Sequence, residues 1–456
     1  MQTKPFSTYQ TPYQRLYGLR ENPFPALAMF APEARDPRRD GRIYDGNFHK
    51  AEKKEFFDLF VQPPSGDEPL KLGFVRVNAF AGSRGNGKSA FLHHIAECIN
   101  KQRDSDLFAL AVHVLPEPRN QRHFWQFIYL IFETLAEKEL FSEIDMNFRV
   151  ALLLRLLSEE QTSALSQIPG PEIRATLLSD NQFKDLLNKY GFTLYGFIEE
   201  AERQMKSVAG ETFNKSFFSE FFSVNCSMVR LWNKWKEDGL ASNSYQWRKL
   251  GTDLFTGGLA PVTIIAGYQR FYVLLDEFEK IYISQTNRER DEFLDSLRQY
   301  FYERDTAILR NKYITTVLTI HPSICVYLAR NWHRVGLDGL APLDPDRMAE
   351  CSVELGESTP EKLSDMMNTY IDFFREKEDD PNFNTLYPFS EDALVPAILE
   401  ARKYPGGTLC YANMILQKAA QKEIPPPIPR DFVETFIEEE TGLFEDEDLF
   451  DLFVRS

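Results

Sequence analysis

The chain has 456 residues, 43% hydrophobic and 26% charged, with a formal net charge of −16 at pH 7. That length points to two or three domains. No apolar run reaches the roughly 18–20 residues of a membrane helix. The opening stretch MQTKPFSTYQTPYQRLYG lacks the apolar core of a secretory signal. Cys98, Cys226, Cys325, Cys351 and Cys410 show no C-x-x-C spacing, so neither a zinc site nor a disulfide framework is indicated. A cytoplasmic protein is expected. Proteins that grip duplex phosphates normally present a basic surface; the −16 balance favours protein partners and leaves nucleic acid only a local basic patch.

Residues 1–70 form a lead-in segment with one helix expected at 50–61. It carries YGLRENPFP at 17–25 and the densest basic cluster of the chain, RDPRRDGR at 35–42, which reads as a solvated loop. QPPSGDEP at 62–69 is a turn-rich linker. An apolar strand is expected at 72–80 and a helix at 90–100, with Phe91, Leu92, Ile95 and Ile99 on one face. Between them stand Gly82, Ser83, Arg84, Gly85, Asn86, Gly87, Lys88 and Ser89, which match G-x-x-x-x-G-K-[S/T] at every fixed position. A strand turning through glycines into a helix aims backbone N–H groups and the positive end of the helix dipole at one small volume. A triphosphate such as ATP fits there, with Lys88 reaching its β- and γ-phosphates and Ser89 ligating Mg²⁺.

A second core strand is expected at 107–115 and a helix at 121–139. From 140 to 258 the pattern is helical, with amphipathic runs at 148–161 and 194–205, and reads as an all-helical insertion. Its Phe217, Phe218, Phe221, Phe222, Trp232 and Trp235 read as core rather than as a partner groove.

The run RFYVLLDEFEKI at 270–281 is an apolar strand delivering two carboxylates to its carboxyl end. In a phosphate-loop enzyme Asp276 holds the Mg²⁺ shell and Glu277 polarises the attacking water. A charged helix at 289–310 leads into a buried strand at 312–320, followed by His321, which is placed to sense the γ-phosphate or the lytic water. Arg330 and Arg334 are candidates for an arginine finger acting on a neighbouring subunit's nucleotide. Helices are then expected at 361–375, 391–403, 404–421 and from 431, separated by an acidic loop at 376–390 and the rigid IPPPIPR at 424–430. The final stretch alternates acidic residues with Phe and Leu, as a disordered tail or a short docking segment does.

The order YGLRENPFP, GSRGNGKS, VLLDEFE, VLTIHPSI and ARKYPGGTLCYANMIL resembles the AAA+ superfamily, nearest the branch of origin-recognition ATPases, ExeA-type secretion ATPases and transposition regulators. AGYQRF before DEFE is also similar to ATP-binding components of BREX-like phage-defence systems. The likeness covers about residues 17–115 and 262–422. It implies ATPase roles for Lys88, Ser89, Asp276 and Glu277, the sensor position for His321, and a homo-oligomer with ATP at subunit interfaces. Two features depart from that pattern. Thr408 and Leu409 follow the lid glycines where the family often has an arginine, with Arg402 and Lys403 before them, and the insertion is long.

The expected fold is therefore α/β: a P-loop NTPase core with a parallel sheet, a long all-helical insertion and a C-terminal helical lid. Its expected parts are the lead-in at 1–70, the first core part at 71–139, the insertion at 140–258, the second core part at 259–350, the lid at 351–430 and an acidic tail at 431–456. The expected activity is Mg²⁺-dependent ATP hydrolysis serving a larger complex, in phage defence or a mobile element. The alternatives are an ATP-binding hub with little hydrolysis, or a DNA-loading ATPase.

Overall fold

The computed structural model describes residues 10–27, 30–31, 35–44, 46–64, 66–77, 87–102, 108–116, 122–238, 251, 253–303, 313–356, 358–377, 380–401 and 404–440. The expectations placed on Gly82, Ser83, Arg84, Gly85, Asn86, Arg402, Lys403 and most of the acidic tail lie outside them.

The chain is α/β. One five-stranded parallel sheet has the order β2-β3-β4-β1-β5, formed by β1 Leu72–Val77, β2 Ala109–Val114, β3 Arg270–Leu275, β4 Ile314–Ile320 and β5 Ser352–Leu355. Strands made mostly of Val, Leu, Ile, Ala and Thr have no charged face to offer water, so they suit a sheet covered on both faces, whether central like β4 or at the edge like β2. β2 and β4 are accordingly buried at every position. Leu275 pairs with Leu318 across β3 and β4, and Leu274 with His113 across β3 and β2.

The structure divides into two compact units, Met1–Lys54 with Val77–His94 and Glu354–Ser456, and Glu55–Arg76 with Ile95–Val353. In the second unit the described part of 140–258 is helical as expected, including Leu140–Leu156, Asp180–Lys189, Leu194–Ala209, Lys215–Ser223 and Met228–Glu237. Phe217, Phe218, Phe221, Trp232 and Trp235 are buried, and Phe222 packs partly buried against the same core. That core is continuous with the sheet: Phe132, Trp232 and Phe255 belong to the cluster that holds Val112, Val273 and Leu318. Gly257 lets the backbone close up, because a Cβ there would lie 2.1 Å from the Thr212 carbonyl oxygen. The charged helix expected at 289–310 is helical through residue 303, and positions 304–310 lie outside the described residues. Asn287–Arg298, capped by Thr286 and Glu289, passes into a π-turn at Gln299–Glu303.

In the first unit the lead-in packs into one core with the C-terminal helices. Tyr17, Leu19 and Phe24 join Leu363, Ile371, Leu394, Ala412, Ile415 and Val433. A helix at Pro12–Tyr17, absent from the sequence reading, starts with a Thr11–Gln14 capping box and Pro12. The helices Pro360–Phe373, Pro405–Gln421 and Arg430–Glu440 follow the expected ones closely. The one expected at 391–403 is only Val395–Glu400, because Pro396 suits a helix start and not its interior.

The basic cluster is only in part a solvated loop. Arg38 is ion-paired with Asp36 at 2.8 Å and Glu21 at 3.4 Å, and Arg42 with Asp40 at 2.7 Å. The Arg38 guanidinium lies 5.3 Å over the Phe374 ring, and Tyr370 donates to the Arg38 carbonyl. The aspartates that punctuate RDPRRDGR neutralise Arg38 and Arg42 locally, and Arg38 docks on the protein while Arg35 and Arg42 stay exposed.

Candidate functional site

Gly87, Lys88 and Ser89 belong to the first unit. Gly87 has φ +79°, a left-handed conformation that glycine adopts without a Cβ clash. Its carbonyl accepts the first helical bond, from Phe91 N–H at 2.8 Å. Lys88 and Ser89 thus open the helix Lys88–Lys101, at the positive end of its dipole. Residues 35–53 wrap this helix start. The Tyr44 ring stacks on His94 at 4.4 Å, His49 packs edge-on to Phe91 at 5.5 Å, and Lys53 Nζ lies 3.2 Å from His94 Nε2. Burial, with Lys362 and His94 close by, lowers the His49 pKa to about 3, so its ring is neutral.

Asp276 and Glu277 belong to the second unit, at the carboxyl end of β3. Asp276 is fully buried between the neighbouring strands. Its N–H donates to the Val114 carbonyl on β2 at 2.9 Å. On the β4 side the Thr319 hydroxyl donates to Asp276 Oδ1 at 2.8 Å. On the β2 side His113 Nε2 lies 3.6 Å from Asp276 Oδ2. Glu277 has φ +47°, which is strained for a residue with a Cβ. Its N–H donates to Thr319 Oγ1 at 2.6 Å and to Asp276 Oδ1 at 2.8 Å. Its partly exposed carboxylate is ion-paired with Lys280.

His321 directly follows β4, the strand that lies between β1 and β3, and is half-buried. Arg330 and Arg334 are exposed on the helix Pro322–Arg334, and Arg334 is ion-paired with Asp291. The same helix exposes Val326 and Tyr327.

No family model, curated protein or solved structure matches this chain. What the arrangement can do follows from its own groups.

The sequence reading missed Thr319 and His113. A hydroxyl or imidazole inside an otherwise apolar, fully buried strand needs a partner, and each stands near the carboxyl end of its strand. That was the signal available in ITTVLTI and ALAVHV. Among the described residues no three His, Cys, Asp or Glu side chains could hold a metal ion together. By type, each residue assigned to Mg²⁺ suits a hard cation that keeps several waters: the Ser89 hydroxyl in the first unit and the buried Asp276 carboxylate in the second. Among the described residues no helix is long and apolar enough to cross a membrane.

Proposed function

We propose that this chain is an AAA+-like ATPase that binds ATP with Mg²⁺, hydrolyses it, and uses the cycle to assemble or switch a larger protein complex. One observation carries the reading. The strand before GSRGNGKS and the strand before Asp276-Glu277 run parallel in one sheet, with β4 between them. Parallel strands present their carboxyl ends at one edge, where open α/β sheets bind ligands.

In this reading the N–H groups of the loop and helix start cradle the phosphates, and Lys88 supplies positive charge to the β- and γ-phosphates. Ser89 and Asp276 would hold Mg²⁺, whose chemistry when bound is to neutralise charge on the transferring phosphoryl group. Glu277 orients the attacking water and accepts its proton. His321 senses the γ-phosphate, and Arg330 or Arg334 serves the nucleotide of a neighbouring copy in a homo-oligomer. A cytoplasmic role in a phage-defence or mobile-element complex is the favoured setting.

One observation favours a second reading, an ATP-dependent switch with little turnover. The Glu277 carboxylate is engaged in an ion pair with Lys280 and must leave that partner to reach a water. Against the DNA-loading alternative, Arg38 and Arg42 of the basic cluster are engaged by the protein's own acids.

ATP turnover by the purified protein tests the proposal. Glu277→Gln is expected to lower kcat by roughly 10²–10⁴-fold with nucleotide binding retained, and Lys88→Ala to weaken binding itself. Turnover unchanged in both would overturn the enzymatic reading. Turnover near zero in the wild type, restored by Lys280→Ala, would select the switch. Native masses of the complex with and without ATP test assembly, and identical masses would remove it.

A further inference from the structure

We propose that Thr319 is the positioning residue of the candidate hydrolytic centre, tying the orientation of Asp276 and the backbone of Glu277 to β4 through one hydroxyl. The inference rests on the ATPase reading. It adds a residue and a role which that reading does not contain.

The bonds carry the argument. A threonine hydroxyl has one proton to donate and lone pairs to accept. In this site the proton goes to Asp276 Oδ1 at 2.8 Å, and a lone pair receives the Glu277 N–H at 2.6 Å. Both bonds are enclosed, because Thr319 and Asp276 are fully buried. The register makes this local geometry. Leu275 pairs with Leu318, so Asp276 and Thr319 are the next positions along two adjacent strands.

The consequence falls on Glu277. Its left-handed φ of +47° is held only while its N–H stays anchored. That backbone angle decides where the carboxylate of the general base points, and the Asp276 carboxylate is fixed by the same oxygen atom. A valine at 319 would keep the volume and lose both bonds. Asp276 would then lose its bond from β4, and Glu277 would relax toward an ordinary conformation. A serine would keep both bonds. Thr319 acts through its neighbours and touches neither substrate nor metal.

The experiment compares steady-state ATP hydrolysis of the full chain with Thr319→Val, Thr319→Ser and Glu277→Gln. Binding of a fluorescent ATP analogue and thermal melting are measured on each. A misplaced catalytic group costs about 10²-fold in rate. Thr319→Val is therefore expected to lower kcat by roughly that factor, with KM and analogue binding changed less than about 3-fold, and Thr319→Ser to recover most of the loss. In the Glu277→Gln background, Thr319→Val is expected to cause almost no further loss, because the group it positions is already gone. A purely structural threonine would lower melting temperature and would lose rate equally in both backgrounds.

Wild-type kcat in Thr319→Val, a serine variant as slow as the valine one, or full additivity with Glu277→Gln would each overturn the inference and leave the ATPase reading standing. Absence of turnover in the wild type would overturn that reading, and the inference with it. Should Thr319→Val fail to fold, Thr319→Cys, of similar size with a weaker donor, replaces it under the same outcomes.

Discussion

Asn22 and Asn413 tie the lead-in to a C-terminal helix through two side-chain amides that donate in opposite directions, Asn22 to Asn413 and Asn413 to Phe24. Asn22 Nδ2 donates to the Asn413 carbonyl at 3.0 Å, and Asn413 Nδ2 donates to the Phe24 carbonyl at 2.6 Å. Both side chains are buried. The pair joins the lead-in segment YGLRENPFP to the helix Pro405–Gln421, nearly 400 positions along the chain. Truncating Asn413 removes the donor to the Phe24 carbonyl, at a cost of about 1–3 kcal/mol, whereas the Asn413 carbonyl also serves its own helix. Asn413→Ala is expected to lower hydrogen-exchange protection of the helix Pro405–Gln421 by that amount. Adding Asn22→Ala should cost less than its own single effect. Full additivity would show that the two asparagines do not act as a unit.

Glu277 makes a prediction independent of turnover. At φ +47° alanine keeps the steric penalty that glutamate bears, and glycine does not. Glycine is normally the more destabilising replacement; here Glu277→Gly is expected to be more stable than Glu277→Ala by about 1 kcal/mol. Both lose the Lys280 ion pair, so it cancels from the comparison. Urea midpoints of the two variants check this, and the ordinary order, alanine above glycine, would show that the backbone is not held left-handed in solution.

The parts of the fold legible in the sequence were those written in local spacing. Glycines, lysine and serine at fixed intervals marked the helix start at Lys88, and an apolar run ending in two acids marked the end of β3. The rest depended on partners distant in the chain. β5 is four residues long, and Ser352–Leu355 becomes a strand through its place at the sheet edge beside β1. Arg38 looked solvated because Tyr370 and Phe374, which receive it, stand more than 300 residues away. Thr319 was passed over for His321, two positions on, because a polar residue at a strand tip is conspicuous while a buried threonine reads as an ordinary β-former.

His49 predicts acid sensitivity of the first unit. Burial is the main cause of its lowered pKa, with Lys362 and His94 adding repulsion, and Tyr44 Oη lies 2.9 Å from its Nδ1. The folded value of about 3 lies below the ordinary 6.5. The contribution of the neutral ring is thus complete above pH 6.5 and is lost as pH falls toward 3. At pH 5 the loss amounts to about 2 kcal/mol relative to pH 7.5. Wild type is expected to lose that much more stability than His49→Gln over this interval, measured by urea unfolding at both pH values. An equal loss in both proteins would mean that the imidazole is solvated.

Asp145 predicts a dependence of opposite sign in the helical stretch of the second unit. Burial raises its pKa to about 6, although Ser227 Oγ donates to it at 2.6 Å and Met228 N–H at 2.6 Å. Arg149, one turn on, gives little relief, since its guanidinium donates to the Leu177 carbonyl at 2.5 Å, to Asp180 at 3.1 Å and to the Asn225 carbonyl at 2.9 Å. A folded pKa above the ordinary 3.8 means that the native state binds the proton more tightly than the unfolded chain. Its contribution is present below pH 3.8 and is lost as pH rises through about 6. The change across that window is about 3 kcal/mol. Asp145→Asn cannot ionise and lacks this term, and its amide cannot reproduce every bond the carboxyl group accepts. The variant should therefore be less stable than wild type at pH 4, with the gap narrowing by about 2 kcal/mol by pH 7. Paired urea titrations at the two pH values measure the gap. A gap that stayed constant or widened would show that the carboxylate is already satisfied when ionised, its hydrogen bonds outweighing the burial that surrounds it.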